Sequence, residues 1–169
     1  ILGEWELMGL PFRVDARALI PRQDTETLVE AALGLIKERG YRTVLDLCCG
    51  TGCIGISLAA LSGAAVTLAD ISVDALALAR ENAEKNGVCA RVMETDLFSN
   101  ITGSFDLIAC NPPYLSDADM AALQREVRFE PALALYGGED GLDFYRRIRT
   151  EYAAHLNQRG ALLLEVCLL

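Results

Sequence analysis

From residue 43 onward the chain alternates short apolar runs with helical stretches, and this alternation restricts the fold more than any other property. Thr43-Val-Leu-Asp-Leu-Cys48 reads as a strand, followed by a Gly-rich turn and the helical stretch Cys53–Leu61. Ala65–Ala69 is a second strand. Ser72 then offers an N-cap to the helix Val73–Asn86, whose Ala75, Leu76, Ala79 and Ala83 share one face. Asn86-Gly87 stops that helix, Ala90–Glu94 is a third strand and Phe105–Cys110 a fourth. Gly141–Leu156 reads as a helix ended by Gly160, and Ala161–Val166 as a buried fifth strand. Strands separated by helices pair in parallel through crossovers, so an α/β fold is expected, a mostly parallel sheet with helices on both faces.

Ahead of this unit, Asp24–Glu38 carries Leu28, Ala31, Ala32, Leu35 and Ile36 on one helical face. Trp5–Met8 and Phe12–Asp15, separated by Gly9-Leu10-Pro11, are expected to form a small hairpin. With 169 residues, no repeat and no linker, one domain is expected: a hairpin and loop over 1–22, a leading helix over 23–39 and a core over 40–169. The chain starts without Met and stops just after an apolar strand, so it reads as a fragment. A net charge of −9 argues against an autonomous nucleic acid binder, and no run approaches the length of a membrane span. The six cysteines form no CxxC pair and the single histidine, His155, stands far from them, so no metal site is expected and the usage fits a reducing cytoplasm. Cys110 and Cys167 read as small core hydrophobes.

The chemistry gathers at three strand ends. At the first, Asp46-Leu-Cys-Cys-Gly50-Thr51-Gly52 lets the backbone approach a ligand and opens onto free helix N–H groups. Asp70 ends the second strand about twenty residues later, where a carboxylate grips ribose hydroxyls. The literal GxGxxG run, Gly50 to Gly55, begins late in the turn for a dinucleotide site. The acidic Asp46 suits instead a ligand with positive charge, such as the amino group and sulfonium of S-adenosylmethionine. Asp96, ending the third strand, is positioned to accept from an adenine amino group, with Leu97 packing on the ring. Asn111-Pro112-Pro113-Tyr114 ends the fourth strand. Two prolines make that turn stiff and extended, and the Asn111 amide offers one acceptor and two donors, which suits holding another planar NH₂ group.

In these motifs the chain resembles the HemK/PrmC family of protein-(glutamine-N5) methyltransferases, which modify the Gly-Gly-Gln glutamine of peptide chain release factors. The resemblance rests on Leu19-Ile-Pro-Arg-Gln-Asp-Thr-Glu26, Asp46–Gly52, Asn111–Tyr114, Val127-Arg-Phe-Glu-Pro131 and Tyr136-Gly-Gly-Glu-Asp-Gly141. It implies a Rossmann-like class I S-adenosylmethionine-dependent catalytic domain in the cytoplasm, with S-adenosylhomocysteine as product and release factors as protein partners. It also implies that the family's N-terminal helical domain is absent and its last strands are missing. Cys48 stands where the family usually has Gly.

By the same resemblance, Asp46, Cys48, Gly50, Thr51, Gly52, Asp70, Asp96, Leu97 and Asn111 would hold the cofactor. The Asn111 side-chain oxygen and the Pro112 carbonyl would each accept one N–H of the substrate amide. Tyr114 would pack on the substrate, with Pro113 beside it and Leu19 closing the other side. Arg22, Glu26, Arg128 and Glu130 are candidates for ordering the loops around the pocket, and His155 reads as structural. Three other readings compete. One is a nucleic acid amine methyltransferase acting on adenine N6 or guanine N2, which shares the Asn-Pro-Pro-Tyr turn. The others are a nicotinamide-dependent oxidoreductase and a fragment that binds cofactor without turnover.

Overall fold

The computed structural model describes residues 3–124 and 127–166. Its core is a five-stranded, all-parallel sheet of order β5-β4-β3-β6-β7. The strands are β3 (Thr43–Leu47), β4 (Ala65–Asp70), β5 (Arg91–Glu94), β6 (Phe105–Cys110) and β7 (Leu156–Leu164). A separate antiparallel hairpin, β1 (Glu4–Leu7) and β2 (Leu10–Arg13), precedes it. The long helices are α1 (Thr25–Arg39), α2 (Cys53–Ser62), α3 (Val73–Lys85) and α5 (Asp143–Glu151), with a short α4 (Asp117–Ala121).

Strand alternation assigns each helix its face. Val44, Val66, Leu68, Leu107 and Ala109 are buried against α1, α2 and α3, while Leu45, Leu47, Ala69, Ile108 and Cys110 are buried with Ile148 of α5 and the Leu97–Ile101 loop. β3, β4 and β5 step one way across the sheet, and β6 then returns to the other side of β3. The reversal opens a crevice at the carboxyl ends of β3 and β6, where open α/β sheets place their ligands.

Several sequence boundaries move. The hairpin turn is Met8-Gly9, both at positive φ, so Leu10 and Pro11 lie in the second strand rather than in the turn. Ser72 caps α3 as expected, accepting from the Ala75 N–H, and the helix ends at Lys85. The larger correction is at the far edge. The helix expected over 141–156 is α5 plus a 3₁₀ turn, Tyr152–His155, and β7 starts at Leu156, so Gly160 lies inside the strand and stops no helix. The cause is a bulge: Phe105 pairs with Leu156 but Leu107 pairs with Ala161, and Arg159 takes up the extra length at φ 67°. The Asp106 carboxylate, opposite the bulge, accepts from Asn157 Nδ2 and from the backbone N–H groups of Arg42 and Thr43. Cys110 is fully buried as a core residue; Cys167 lies outside the described residues.

Gly55 sits where α2 crosses the sheet, and a Cβ there would lie 2.5 Å from Leu68 Cδ2 and 2.8 Å from Val66 Cγ1. Gly55→Ala is therefore expected to destabilise the fold by about 1–3 kcal/mol through overpacking, read as a lower denaturant midpoint at unchanged slope. Among the described residues no helix is long and apolar enough to cross a membrane.

Candidate active site

The crevice holds a cavity of about 1110 Å³, counting its open mouth. Its floor is the turn after β3. Cys48 turns the chain at φ 57°, a left-handed conformation that favours glycine, followed by Gly50 at φ 52° and Gly52 at φ 77° as the α2 N-cap. Asp70 at the end of β4 ties this turn down: its Oδ2 accepts from the Gly50 N–H at 2.9 Å and its Oδ1 from the Ser72 N–H at 2.9 Å. Burial raises its pKa and those backbone N–H groups pull it back. Each carboxylate oxygen retains a second lone pair for a ligand hydroxyl.

The structure brings Leu19, Cys48, Gly50, Thr51, Asp70, Asp96, Leu97, Asn111 and Pro113 to the cavity wall. It does not bring Asp46, Gly52, Pro112 or Tyr114 to it. Asp46 corrects the sequence reading most. It shares its strand face with Val44, so its side chain goes under α2, fully buried, and its Oδ2 accepts from the Gly55 N–H at 2.7 Å. Its Oδ1 has no hydrogen-bond partner among the described residues. Burial first, then the nearby Asp70 charge, push its pKa up to about 7, with the Gly55 N–H opposing. Pro112 is buried and Tyr114 half-buried beside the cavity.

The Asn111–Tyr114 turn is held from behind by Gly137 and Gly141. A Cβ on Gly137 would lie 2.7 Å from Tyr114 Cα and 2.8 Å from the Pro113 carbonyl, and one on Gly141 2.3 Å from the Tyr114 carbonyl. Leu115 adds backbone bonds, its N–H donating to Leu135 and its carbonyl accepting from Gly137, both at 2.9 Å. This close backbone packing accounts for the glycines of the Tyr136–Gly141 segment.

Two loops meet over the cavity. Glu130 is nearly buried, and its Oε1 accepts from Arg22 Nη2 at 2.7 Å while its Oε2 accepts from the Ile20 N–H at 3.0 Å. Glu26 faces away from the cavity, accepting from the Met8 N–H at 2.8 Å and from Gln23 Nε2 at 3.0 Å. The Arg128 side chain lies outside what the structure describes. Asp96 pairs through Oδ1 with Arg147 Nη2 at 2.8 Å across the mouth. Arg17 lines another side, held by Asp15 and Glu81. His155 stacks on Phe98 with ring centroids 4.9 Å apart and contacts the Gly103 carbonyl, away from the cavity.

Sequence reasoning missed Thr25, Phe144 and Arg147 as wall residues. Phe144 and Arg147 stand three apart on α5, a spacing that puts them on one helix face. That signal was present but pointed to no ligand. Among the described residues no group of His, Cys, Asp and Glu side chains could hold a metal ion.

Residues 24–133 match the methyltransferase small domain family. A release factor glutamine methyltransferase of Deinococcus radiodurans is 47% identical over 98% of this chain and 60% of its own length. A ribosomal protein uL3 glutamine methyltransferase of Francisella tularensis is 41% identical over 98% of this chain and 55% of its own length. The chain thus spans less than two thirds of the length of these curated relatives. A methyltransferase structure from Pyrococcus furiosus superposes with a TM-score of 0.65 at 21% identity, covering 94% of this chain and 70% of that one. The fold is the Rossmann-like fold of class I S-adenosylmethionine-dependent methyltransferases. From the family match over these residues and the fold together, the chain belongs to the methyltransferase small domain family.

Proposed function

We propose that this chain is the catalytic part of a protein glutamine methyltransferase that transfers a methyl group from S-adenosylmethionine to a glutamine side-chain nitrogen in peptide chain release factors. The observation that carries the reading is the juxtaposition of Asn111 with the Cys48–Gly50 turn. Their strands pair directly in register, with Leu47 opposite Cys110. A group held by the turn and a group held by Asn111 are therefore neighbours.

The residues present fit the cofactor. Gly50 leaves open space, since a Cβ there would meet only Ala18 at 3.8 Å. Asp70 offers lone pairs to ribose hydroxyls, and Leu97, with Asp96 beside it, lines the place for a flat ring. Among the described residues Asp46 Oδ1 and Thr25 Oγ1 are buried without a hydrogen-bond partner, and Asp46 lies beneath the turn rather than at the cavity as a direct ligand. When bound, S-adenosylmethionine supplies an electrophilic methyl group on a positively charged sulfur.

What the chain supplies is orientation. An amide nitrogen is a poor nucleophile because its lone pair is delocalised into the carbonyl. Asn111 Oδ1 and the Pro112 carbonyl would each accept one amide N–H, which directs the lone pair toward the methyl carbon and favours its localisation. Tyr114 and Pro113 would flank the amide plane and Leu19 would close the opposite side. No side chain is assigned as general base, so the lost N–H proton passes to solvent and rate enhancement rests on positioning and electrostatics. Such a protein would work in the cytoplasm, where termination occurs. Mass spectrometry of a release factor incubated with the protein and S-adenosylmethionine is expected to show one added methyl on the Gly-Gly-Gln peptide. An unmodified peptide, with cofactor binding intact, would mark this chain as one that binds cofactor without turnover.

A further inference from the structure

Glu165 has no part in the chemistry described so far, yet it stands directly behind the proposed amide clamp. The β6–β7 register ends at Cys110 opposite Leu164, and the Glu165 N–H donates to the Cys110 carbonyl at 3.0 Å. Asn111 and Glu165 follow this last pair directly at the two strand ends, and residues that continue a parallel register project to the same face. For Leu107, Ala109, Ala161 and Leu163 that face is the one covered by α1–α3. Tyr145 Oη fixes the strand exit by donating to the Glu165 carbonyl at 2.9 Å. Glu165 Oε2 is buried and, like Thr25 Oγ1, has no hydrogen-bond partner among the described residues.

An ionised carboxylate only accepts hydrogen bonds, whereas the Asn111 amide has one accepting and one donating end. A carboxylate next to it attracts the NH₂ and repels the oxygen. We propose that Glu165 is a positioning residue that holds the Asn111 NH₂ toward itself and so leaves Asn111 Oδ1 facing the cavity, ready to accept the substrate amide N–H. The proposal rests on the glutamine methylation reading for its consequence, but the amide orientation can be tested without it. Burial raises the Glu165 pKa, and the neighbouring Thr25 and Asn111 side chains oppose that rise. The other groups facing it are Asp24 at the start of α1 and Cys53 of α2.

The test follows the Asn111 side-chain NH₂ by NMR through a pH titration, in the wild-type protein and in Glu165→Gln. The variant keeps the shape but can donate as well as accept, so the amide loses its imposed direction. In the wild type, the two Asn111 Nδ2 protons are expected to shift in one step above the ordinary glutamate range, and in Glu165→Gln that step is expected to vanish. The same variant should lose roughly tenfold or more in kcat while keeping its cofactor Kd, because a misaimed clamp affects the reacting atoms and not the cofactor pocket. Wild-type Asn111 protons that ignore the titration overturn the proposal even if the variant fails to fold, and so does a folded variant with wild-type kcat. A wild-type protein that methylates no glutamine refutes the proposed function, and the amide titration still decides the orientation.

Discussion

Replacing Asn111 with alanine is expected to lower kcat for glutamine methylation by about 10²–10³-fold, the cost typical of removing one oriented group that acts on the reacting atoms. The cofactor should stay bound with nearly unchanged Kd. Its proposed contacts are spread over the turn after β3, Asp70 at the end of β4 and Leu97, and Asn111 supplies one wall of the cavity. The two readouts separate clearly: single-turnover kinetics by mass spectrometry reports transfer, and isothermal titration calorimetry reports the cofactor. Because the clamp would act mainly in the transition state, kcat and kcat/KM should fall together. Transfer at the wild-type rate in this variant would show that the amide is held by something else.

The second large effect concerns stability. Asp46 is fully buried with a pKa raised from 3.8 to about 7, so the folded protein keeps a proton there that the unfolded chain loses at the ordinary carboxylate pKa. The native state binds more protons in that interval, so stability is full below about pH 4 and declines as pH rises through 7. At one pKa unit per 1.36 kcal/mol the loss approaches about 4 kcal/mol. Asp46→Asn retains an oxygen for the Gly55 N–H and removes the titration. In denaturant unfolding without cofactor, it should be more stable than wild type at pH 8 and close to it at pH 4. Asp70 and Glu165 are also raised by burial and act with the same sign, so the slope should diminish without disappearing. A wild-type protein equally stable at both pH values would exclude an uncompensated buried charge at Asp46.

Much of this architecture was legible in the sequence because local signals agreed with the fold. Glycine turns, the Ser72 cap and alternating strand and helix stretches all placed ligand groups at strand ends, and Cys48, Gly50, Asp70, Leu97 and Asn111 do share one cavity. What stayed hidden depended on tertiary geometry. Asp46 sits next to the turn in sequence, but strand parity turns it under α2. The start of β7 was obscured because its bulge places Arg159 and Gly160 where a helix stop was expected. Asp96 was read as an acceptor for the ligand alone, and Arg147, 51 residues further on, is what the fold brings to it. Glu165 carried no motif; it gains meaning only from its register beside Asn111.

The cavity joins two materials. Its floor rides on β3 and β6, whose direct pairing sets the spacing between the turn after β3 and Asn111 as firmly as the rungs of a ladder. Its roof is made by the segments around Ile20 and Glu130, 110 residues apart in the chain and latched through a single carboxylate. On the proposed function, the distance between cofactor and amide is thus built into the sheet, whereas the breadth of the entrance depends on one latch between two loops.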